Sequence, residues 1–429
     1  MHAGFPPSFP VGPSAVRPRL VLVTVAMDSR YGSEPGKAWH WARALARHYE
    51  LHVLAPAEVV ERCRVEPEAA DWHWHATPAP APRRFGLGYY FGYRQWCASV
   101  LPALRELQRT LRPVGVHHIT LGSFRMLPRY DRAGLPWTLG PIGGGETVPR
   151  HYLRTARFPW RVRVAEAARP WGNAAFTVLP WLRPVFQGAR LSLATTAETE
   201  TVLQRLGATA TAVVFPDAAQ GGPPPDEVRK RRAAQLPDVA HEIRLVWSAR
   251  ALWWKGGQIA IELTRRLLAR GVKVRLDLIS QGPALPALRE RVERAKLGDQ
   301  CRVRNFVPRR ELLQLLLEAH AFVYPTLHDS SSSALLEAYL TGLPSLTVGV
   351  GGPCLVVTPA TGFNTSAPDL NAWMEGAAER IVEWQKAPAI WQAATEAALA
   401  RSADFGPEHL ARSVDRWLAP ESGVYRPAA

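Results

Sequence analysis

AFVYPTLHDSSSSALLEAYLTGLPSLTVGVGG, residues 321–352, is the stretch whose reading decides the fold. Its opening apolar run, Ala321 to Tyr324, predicts a short buried strand that Pro325 breaks. A polar loop follows, and then Leu335, Leu336 and Leu340 recur at helical spacing until Gly342 and Pro344 stop the helix. Asp329 lies in the loop, and Glu337, eight residues on, lies in the first turns of the helix. Both carboxylates can therefore face the space beyond the strand's carboxyl end, where open α/β sheets bind ligands. The plain alternative is that Ser330 to Ser333 only cap the helix and Glu337 is a solvated carboxylate.

Working outward, 429 residues with 47% hydrophobic content give room for two domains with cores of their own. No apolar run approaches the roughly 20 residues that span a bilayer. The start, MHAGFPPSFPVGPSAVRPR, carries Pro and Gly where a secretory signal needs an unbroken apolar segment. Residues 1–15 are therefore expected to form a disordered tail and the protein to stay in the cytoplasm. Cys63, Cys97, Cys301 and Cys354 show no C-x-x-C spacing, which argues for free thiols rather than a disulfide frame or a zinc site. The net charge of +15 rests almost wholly on arginine, since lysine occurs only at positions 37, 230, 255, 273, 296 and 386. Such a balance favours anionic partners, among them nucleotide diphosphates and lipid head groups, although much of it can be solvated surface.

The same strand–loop–helix grammar recurs from the start of the chain. Residues 19–26 (RLVLVTVA) and 51–55 (LHVLA) read as parallel strands joined by a helix carrying Trp39, Ala42, Leu45 and Ala46. Between the first strand and that helix lies DSRYGSEPGK, whose Gly32 and Gly36 let backbone amides approach a ligand at a helix start. The region 58–84 is irregular by pattern. A leucine-spaced helix then leads to VHHITL, a strand on which His117 and His118 point to opposite faces. A hydrogen-bonded core role is the plain reading for both. In WTLGPIGGGE the run Gly143 to Gly145 is costly unless the backbone turns sharply or lies against a ligand.

From 150 to 190 the composition shifts to arginine (154, 157, 161, 163, 169, 183) interleaved with Phe158, Trp160, Trp171, Trp181 and Phe186, and Glu166 is the sole acid. Guanidinium and indole groups together suit an anionic membrane interface or single-stranded nucleic acid, and the membrane is preferred. Residues 217–240, with GGPPPDEVRKRR and no sustained apolar period, read as an interdomain linker. Beyond it strands at 243–248, 274–279, 301–307, 321–324 and 345–348 alternate with helices, as in a second nucleotide-binding-type domain. The stretch SARALWWKGG sets Arg250 and Lys255 at the mouth of a strand, with Gly256 and Gly257 opening a helix, an arrangement suited to a diphosphate. Two ordinary surface cations near a turn are the alternative.

Together these motifs resemble the GT4 family of glycosyltransferases: the acid-x7-acid of Asp329 and Glu337, the R-x4-K-G of Arg250 to Gly256, the G-S-E-P-G of Gly32 to Gly36, and G-P-x-G-G-G-E ending at Glu146 after the Phe124-Arg125 pair. The resemblance implies an α/β chain of GT-B type, two Rossmann-like domains facing across a cleft: residues 16–216 for the acceptor, 241–405 for the nucleotide sugar, and 406–429 a C-terminal helix and tail. It implies that Arg250 and Lys255 hold a donor diphosphate and that Glu337 binds the ribose. Asp329 would stand by the donor sugar, Gly256 and Ser331 to Ser333 by the phosphates or sugar, and Asn305 and Val307 by the base. His118 would stand near the reacting sugar, and Gly32, Ser33, Glu34, Gly36, Gly143, Gly144, Gly145 and Glu146 would line the cleft or acceptor side.

The chain departs from the family pattern in having Asp at 329, Ser at 331 and 332, and Ala at 249. The expected activity is retaining transfer from a nucleotide-diphosphate sugar with no metal and no permanent cofactor. The acceptor is expected to be a lipid-linked saccharide or surface polysaccharide, reached from the cytoplasmic face of an anionic membrane, with no nucleic-acid partner. The alternatives are a nucleotide-sugar epimerase and a catalytically silent GT-B protein that binds a membrane or a partner.

Overall fold

The computed structural model describes residues 17–30, 34–79, 87–119, 123–215, 222–330 and 332–425. Among the expected cleft residues, Gly32, Ser33 and Ser331 lie outside these, as does the tail at 1–15. Seven strands make the first sheet: β1 (Arg19–Val23), β2 (Glu50–Pro56), β3 (His73–Thr77), β4 (Gly115–His118), β5 (Trp137–Ile142), β6 (Leu191–Ala194) and β7 (Thr211–Val213). Their order is β3-β2-β1-β4-β5-β6-β7, all parallel. A second parallel sheet holds β8 (Ile243–Ser248), β9 (Val274–Ile279), β10 (Cys301–Arg304), β11 (Ala321–Tyr324), β12 (Ser345–Val348) and β13 (Gly362–Thr365), in the order β10-β9-β8-β11-β12-β13.

Parallel strands need crossovers, and the helices between them cover both faces of each sheet, so the central strands are almost wholly buried and largely apolar, while the edge strands β3, β7, β10 and β13 are partly exposed. Each strand order reverses once, between β1 and β4 in one sheet and between β8 and β11 in the other. At such a switch point the loops leaving neighbouring strands diverge and leave a crevice. In the second sheet this sets the loop after β8, with Arg250 and Lys255, beside the loop after β11, with Asp329.

Two expectations change. The segment expected to be a linker carries the helix Pro225–His241, whose buried residues are Val228, Val239 and, between them, the charged Arg232. The Arg232 guanidinium is 2% exposed and donates to the carbonyls of Leu316 (2.9 Å), Thr341 (2.8 Å) and Ala319, capping two helix ends of the second domain. The helix therefore packs as part of that domain. In the irregular region 58–84, the strand β3 pairs with β2 through His73, Trp74 and His75, which an apolar-pattern reading passes over. At the other end, the helix Pro407–Trp417 returns to the first domain. Leu410, Val414 and Leu418 join Trp39, Trp41 and Leu45 in one apolar cluster, and Tyr49 donates its hydroxyl to the Leu418 carbonyl.

Candidate functional site

The loop after β8 reaches the acid loop through a glycine. Gly256 has φ +78°, and a Cβ there would lie 2.2 Å from the Pro325 carbonyl oxygen, so only glycine allows this approach. The helix Gly257–Ala269 starts at that point, and Lys255 is thereby brought over the acid loop. Its Nζ lies 2.7 Å from Asp329 Oδ2 and 3.1 Å from the Tyr324 hydroxyl. Tyr324 in turn donates to Asp329 Oδ2 at 2.7 Å. Burial and then the Asp329 charge hold the Tyr324 phenol well above its ordinary pKa, so it stays a donor. A cation, an anion and a phenol thus form a closed set at the carboxyl end of β11. The backbone amide of Gly352 fixes the loop from above by donating to the Asp329 carbonyl at 2.8 Å.

Glu337 stands just over one turn into the helix Ser333–Leu340. Arg309 Nε approaches its Oε1 at 3.2 Å. Burial lifts the Glu337 carboxyl above its ordinary pKa, and Arg309 opposes that without cancelling it. The Arg309 charge is also felt by His40 on the first domain's helix Glu34–Leu45, where burial, then Arg43 and Arg309, push the imidazole down to about 4. The arginine beside this acid is therefore near enough to the helix after the G-S-E-P-G loop for its charge to reach His40. There Glu34 pairs with the buried Lys37 at 2.8 Å, and Gly36 is buried. Arg250 is exposed at the mouth of β8. Asn305 accepts from Arg289 at 2.8 Å, and Val307 packs on the cluster containing Tyr324.

Across the cleft, the triple glycine meets the acid loop directly. A Cβ on Gly143 would lie 2.6 Å from Ser330 Oγ, so the close approach of the two domains depends on a bare backbone here. Glu146 holds the glycine loop in shape: its Oε2 accepts from the Gly144 amide at 2.9 Å, and its Oε1 accepts from the hydroxyls of Thr196 (2.6 Å) and Thr199 (2.8 Å). Arg125 donates to the Gly144 carbonyl at 3.0 Å and to Asn173, and Asn173 donates to the Gly145 carbonyl at 3.1 Å. His118 is buried at the end of β4 with Nδ1 2.6 Å from the Tyr130 hydroxyl. No contact recorded among the described residues joins it to Lys255 or the two acids.

A second bridge between the domains was not foreseen from sequence. Glu166, on the helix Trp160–Thr177, is buried, and its Oε2 lies 3.1 Å from Arg169 Nε and 3.3 Å from Nε2 of His328, the residue before Asp329. The His328 approach lacks hydrogen-bond alignment, and burial holds that imidazole below its ordinary pKa. Burial by itself would raise the Glu166 carboxyl, but His328 and Arg169 outweigh it and hold it below the usual carboxylate range. His328 stacks on Trp254, ring centres 4.9 Å apart, and Trp254 directly precedes Lys255. The visible signal was a lone acid in an arginine-rich stretch.

Two parallel α/β domains meeting across such a cleft form the GT-B architecture. Residues 229–396 match the family model for glycosyl transferases group 1, in keeping with the GT4 resemblance of the sequence motifs. The chain is 25% identical over 215 residues to 2-deoxystreptamine glucosyltransferase of Streptomyces kanamyceticus, covering 50% of each chain. It is 30% identical over 162 residues to the putative colanic acid biosynthesis glycosyltransferase WcaL of Salmonella typhimurium, covering 36% of this chain and 38% of that one. The chain thus spans half or less of the length of these two relatives. HepE of Anabaena, solved with UDP and glucose, superposes with a TM-score of 0.61 at 14% identity, covering 94% of this chain and 99% of that one.

Proposed function

We propose that this protein is a retaining glycosyltransferase that moves a sugar from a nucleotide-diphosphate sugar to an acceptor hydroxyl without a metal. The observation that carries the reading is Lys255 held over Asp329 and Tyr324 where the loops after β8 and β11 meet, with Arg250 on the same loop as Lys255. An incoming diphosphate would draw Lys255 toward itself, and Arg250 and Lys255 would stabilise the charge that grows as the sugar C1–O bond breaks. The acceptor hydroxyl attacks C1 from the leaving-group side, the new C1–O bond forms there, and the hydroxyl proton passes toward the departing phosphate. Glu337 binds the ribose, its carboxylate exchanging Arg309 for the two hydroxyls. Asp329, Gly256, Ser332 and Ser333 shape the sugar and phosphate positions, with Asn305 and Val307 beside the base. His118, Glu34, Gly36 and the loop from Gly143 to Glu146 belong to the acceptor side.

The acceptor reading is a lipid-linked saccharide at an anionic membrane surface on the cytoplasmic side, in surface polysaccharide or glycolipid assembly. Its support is the helix Trp160–Thr177 with the turn after it. Trp160, Val164, Trp171, Val178 and Trp181 are 65, 59, 72, 71 and 49% exposed, Arg157, Arg161 and Arg163 lie beside them, and the one acid, Glu166, points inward. That is the pattern of an interfacial helix. No helix of the described residues is long and apolar enough to cross a membrane.

The deciding experiment screens nucleotide sugars by thermal shift and then measures transfer or donor hydrolysis, since a ligand that binds only the folded chain raises its melting temperature. Lys255→Ala and Arg250→Ala should each lose at least about a hundredfold in turnover, as when a preorganised donor to a developing anion is removed. Folded variants with near-normal transfer would remove the diphosphate assignment.

A further inference from the structure

The sheet edge farthest from β7 carries a group of side chains that the cleft does not use. Among the described residues β3 is the outermost strand of its sheet and pairs only with β2, in a register that sets His52 opposite His73. Glu50 precedes His52 by two residues and so shares its face of the sheet. Glu50 Oε1 lies 3.3 Å from His52 Nε2 and 3.6 Å from His73 Nε2, and one ligand atom from each of the three residues falls within 4.8 Å of the others. We propose that Glu50, His52 and His73 form a divalent metal site for zinc that clips β3 to β2.

A tetrahedral zinc with ligands at about 2.0–2.1 Å keeps those ligands about 3.3–3.4 Å apart. The Glu50–His52 separation of 3.3 Å already matches that spacing, and the Glu50–His73 separation of 3.6 Å is slightly longer. His73 must turn to complete the set: its ring now stacks on His52 at 4.6 Å, and its side chain is 53% exposed, free to rotate and open to an arriving ion. His52 is fixed from behind, its Nδ1 lying 3.0 Å from Nε2 of His75, which is how a bound imidazole is commonly oriented by a second group. Arg19 competes for Glu50, at 3.2 and 3.3 Å from its two oxygens, but it also donates to the Leu111 carbonyl. It can keep Glu50 Oε2 while Oε1 turns to the ion. A water would take the fourth position on the exposed side.

The location decides the role. Glu50 opens β2, so the site lies at the amino ends of the strands, opposite the carboxyl ends where the cleft loops emerge. The ion would therefore brace a strand whose other side has no sheet partner among the described residues, and would take no part in transfer. The test is calorimetric titration of the full-length, chelator-stripped chain with zinc chloride, with cobalt(II) absorption reporting tetrahedral ligation. One saturable ion per chain is expected, along with a rise in melting temperature. His73→Ala and Glu50→Gln should each weaken binding by about tenfold or more, and His73→Ala should abolish the melting shift while folding normally, since His73 is largely exposed. Absence of saturable binding in the unaltered chain would overturn the proposal, as would undiminished binding in His73→Ala. Neither outcome depends on whether the chain transfers sugar.

Discussion

The chemistry at single residues turns on charges that hold each other in place before any ligand arrives. Glu337 is nine-tenths buried, carries a carboxyl lifted by that burial, and meets Arg309 at 3.2 Å. Replacing it with alanine removes a contact that bound donor and transition state would share, so the loss should appear in nucleotide affinity, about tenfold or more, with turnover at saturation little changed. Calorimetry showing unaltered nucleotide affinity would count against the ribose assignment. Glu166 is different. Glu166→Gln would leave Arg169 and His328 without their shared anion next to Trp254 and Lys255, and the expected result is reduced turnover with the chain still folded. Normal turnover in that variant would show the bridge to be packing alone. Lys255 and the acids were legible because spacing and a scarce residue type marked them. Tyr324 and His328 were not, since a strand tyrosine and a loop histidine announce nothing until the fold brings partners to them.

Among the elements, the helix Trp160–Thr177 joins the two readings of the protein. Its inner face touches the cleft through Glu166 and Asn173, while its outer face shows tryptophan, valine and arginine to solvent. Sequence alone could not divide that stretch, and the structure does: Phe158 and Phe186 belong to the core, whereas Trp160, Trp171 and Trp181 are exposed. Each arginine near an anionic bilayer adds on the order of 1 kcal/mol, and salt weakens the attraction. The chain should therefore sediment with anionic vesicles and not with neutral ones at low salt. Charge reversal at Arg157, Arg161 and Arg163 should abolish that preference, and Trp171→Ala should weaken binding with less effect on its salt dependence. Equal recovery from both vesicle types would remove the membrane surface from the acceptor reading. Most strands were legible because central parallel strands are buried and largely apolar, whereas β3 and β13, which carry histidine, asparagine and threonine, were not, and the strand order needed the structure. The helix Pro225–His241 was hidden because its buried face has only Val228 and Val239 with the guanidinium of Arg232 between them, too few apolar positions to mark a stripe.

For the molecule as a whole, each domain encloses a histidine that folding keeps neutral. His117 in β4 is fully buried, with Nδ1 2.8 Å from Thr138 Oγ1, and burial followed by the neighbouring His118 pushes its pKa down to about 3. His320, just before β11, is 1% exposed, and burial together with Arg244 and Arg232 pushes it down to about 3 as well. In the unfolded chain both take up a proton near their ordinary value of 6.5, so below that pH the unfolded state binds more protons than the folded one. Stability must then rise with pH in this window and fall as acid is added, by about 1.4 kcal/mol per pH unit for each withheld proton. Between pH 6.5 and 5 the two together should cost about 3 kcal/mol, since each unfolded imidazole is only half protonated at pH 6.5. Carboxylates held low, such as Glu166 and Glu262, act in the same direction but only nearer their ordinary value of 4.5, so this window belongs to the histidines. Urea unfolding followed separately by tryptophan fluorescence and circular dichroism, at pH 7 and pH 5 with a chelator present, should show the midpoint falling in both signals. A midpoint that holds steady or rises on acidification would mean that these imidazoles are charged within the fold, and with them the buried polar contacts of both sheets would have to be reassigned.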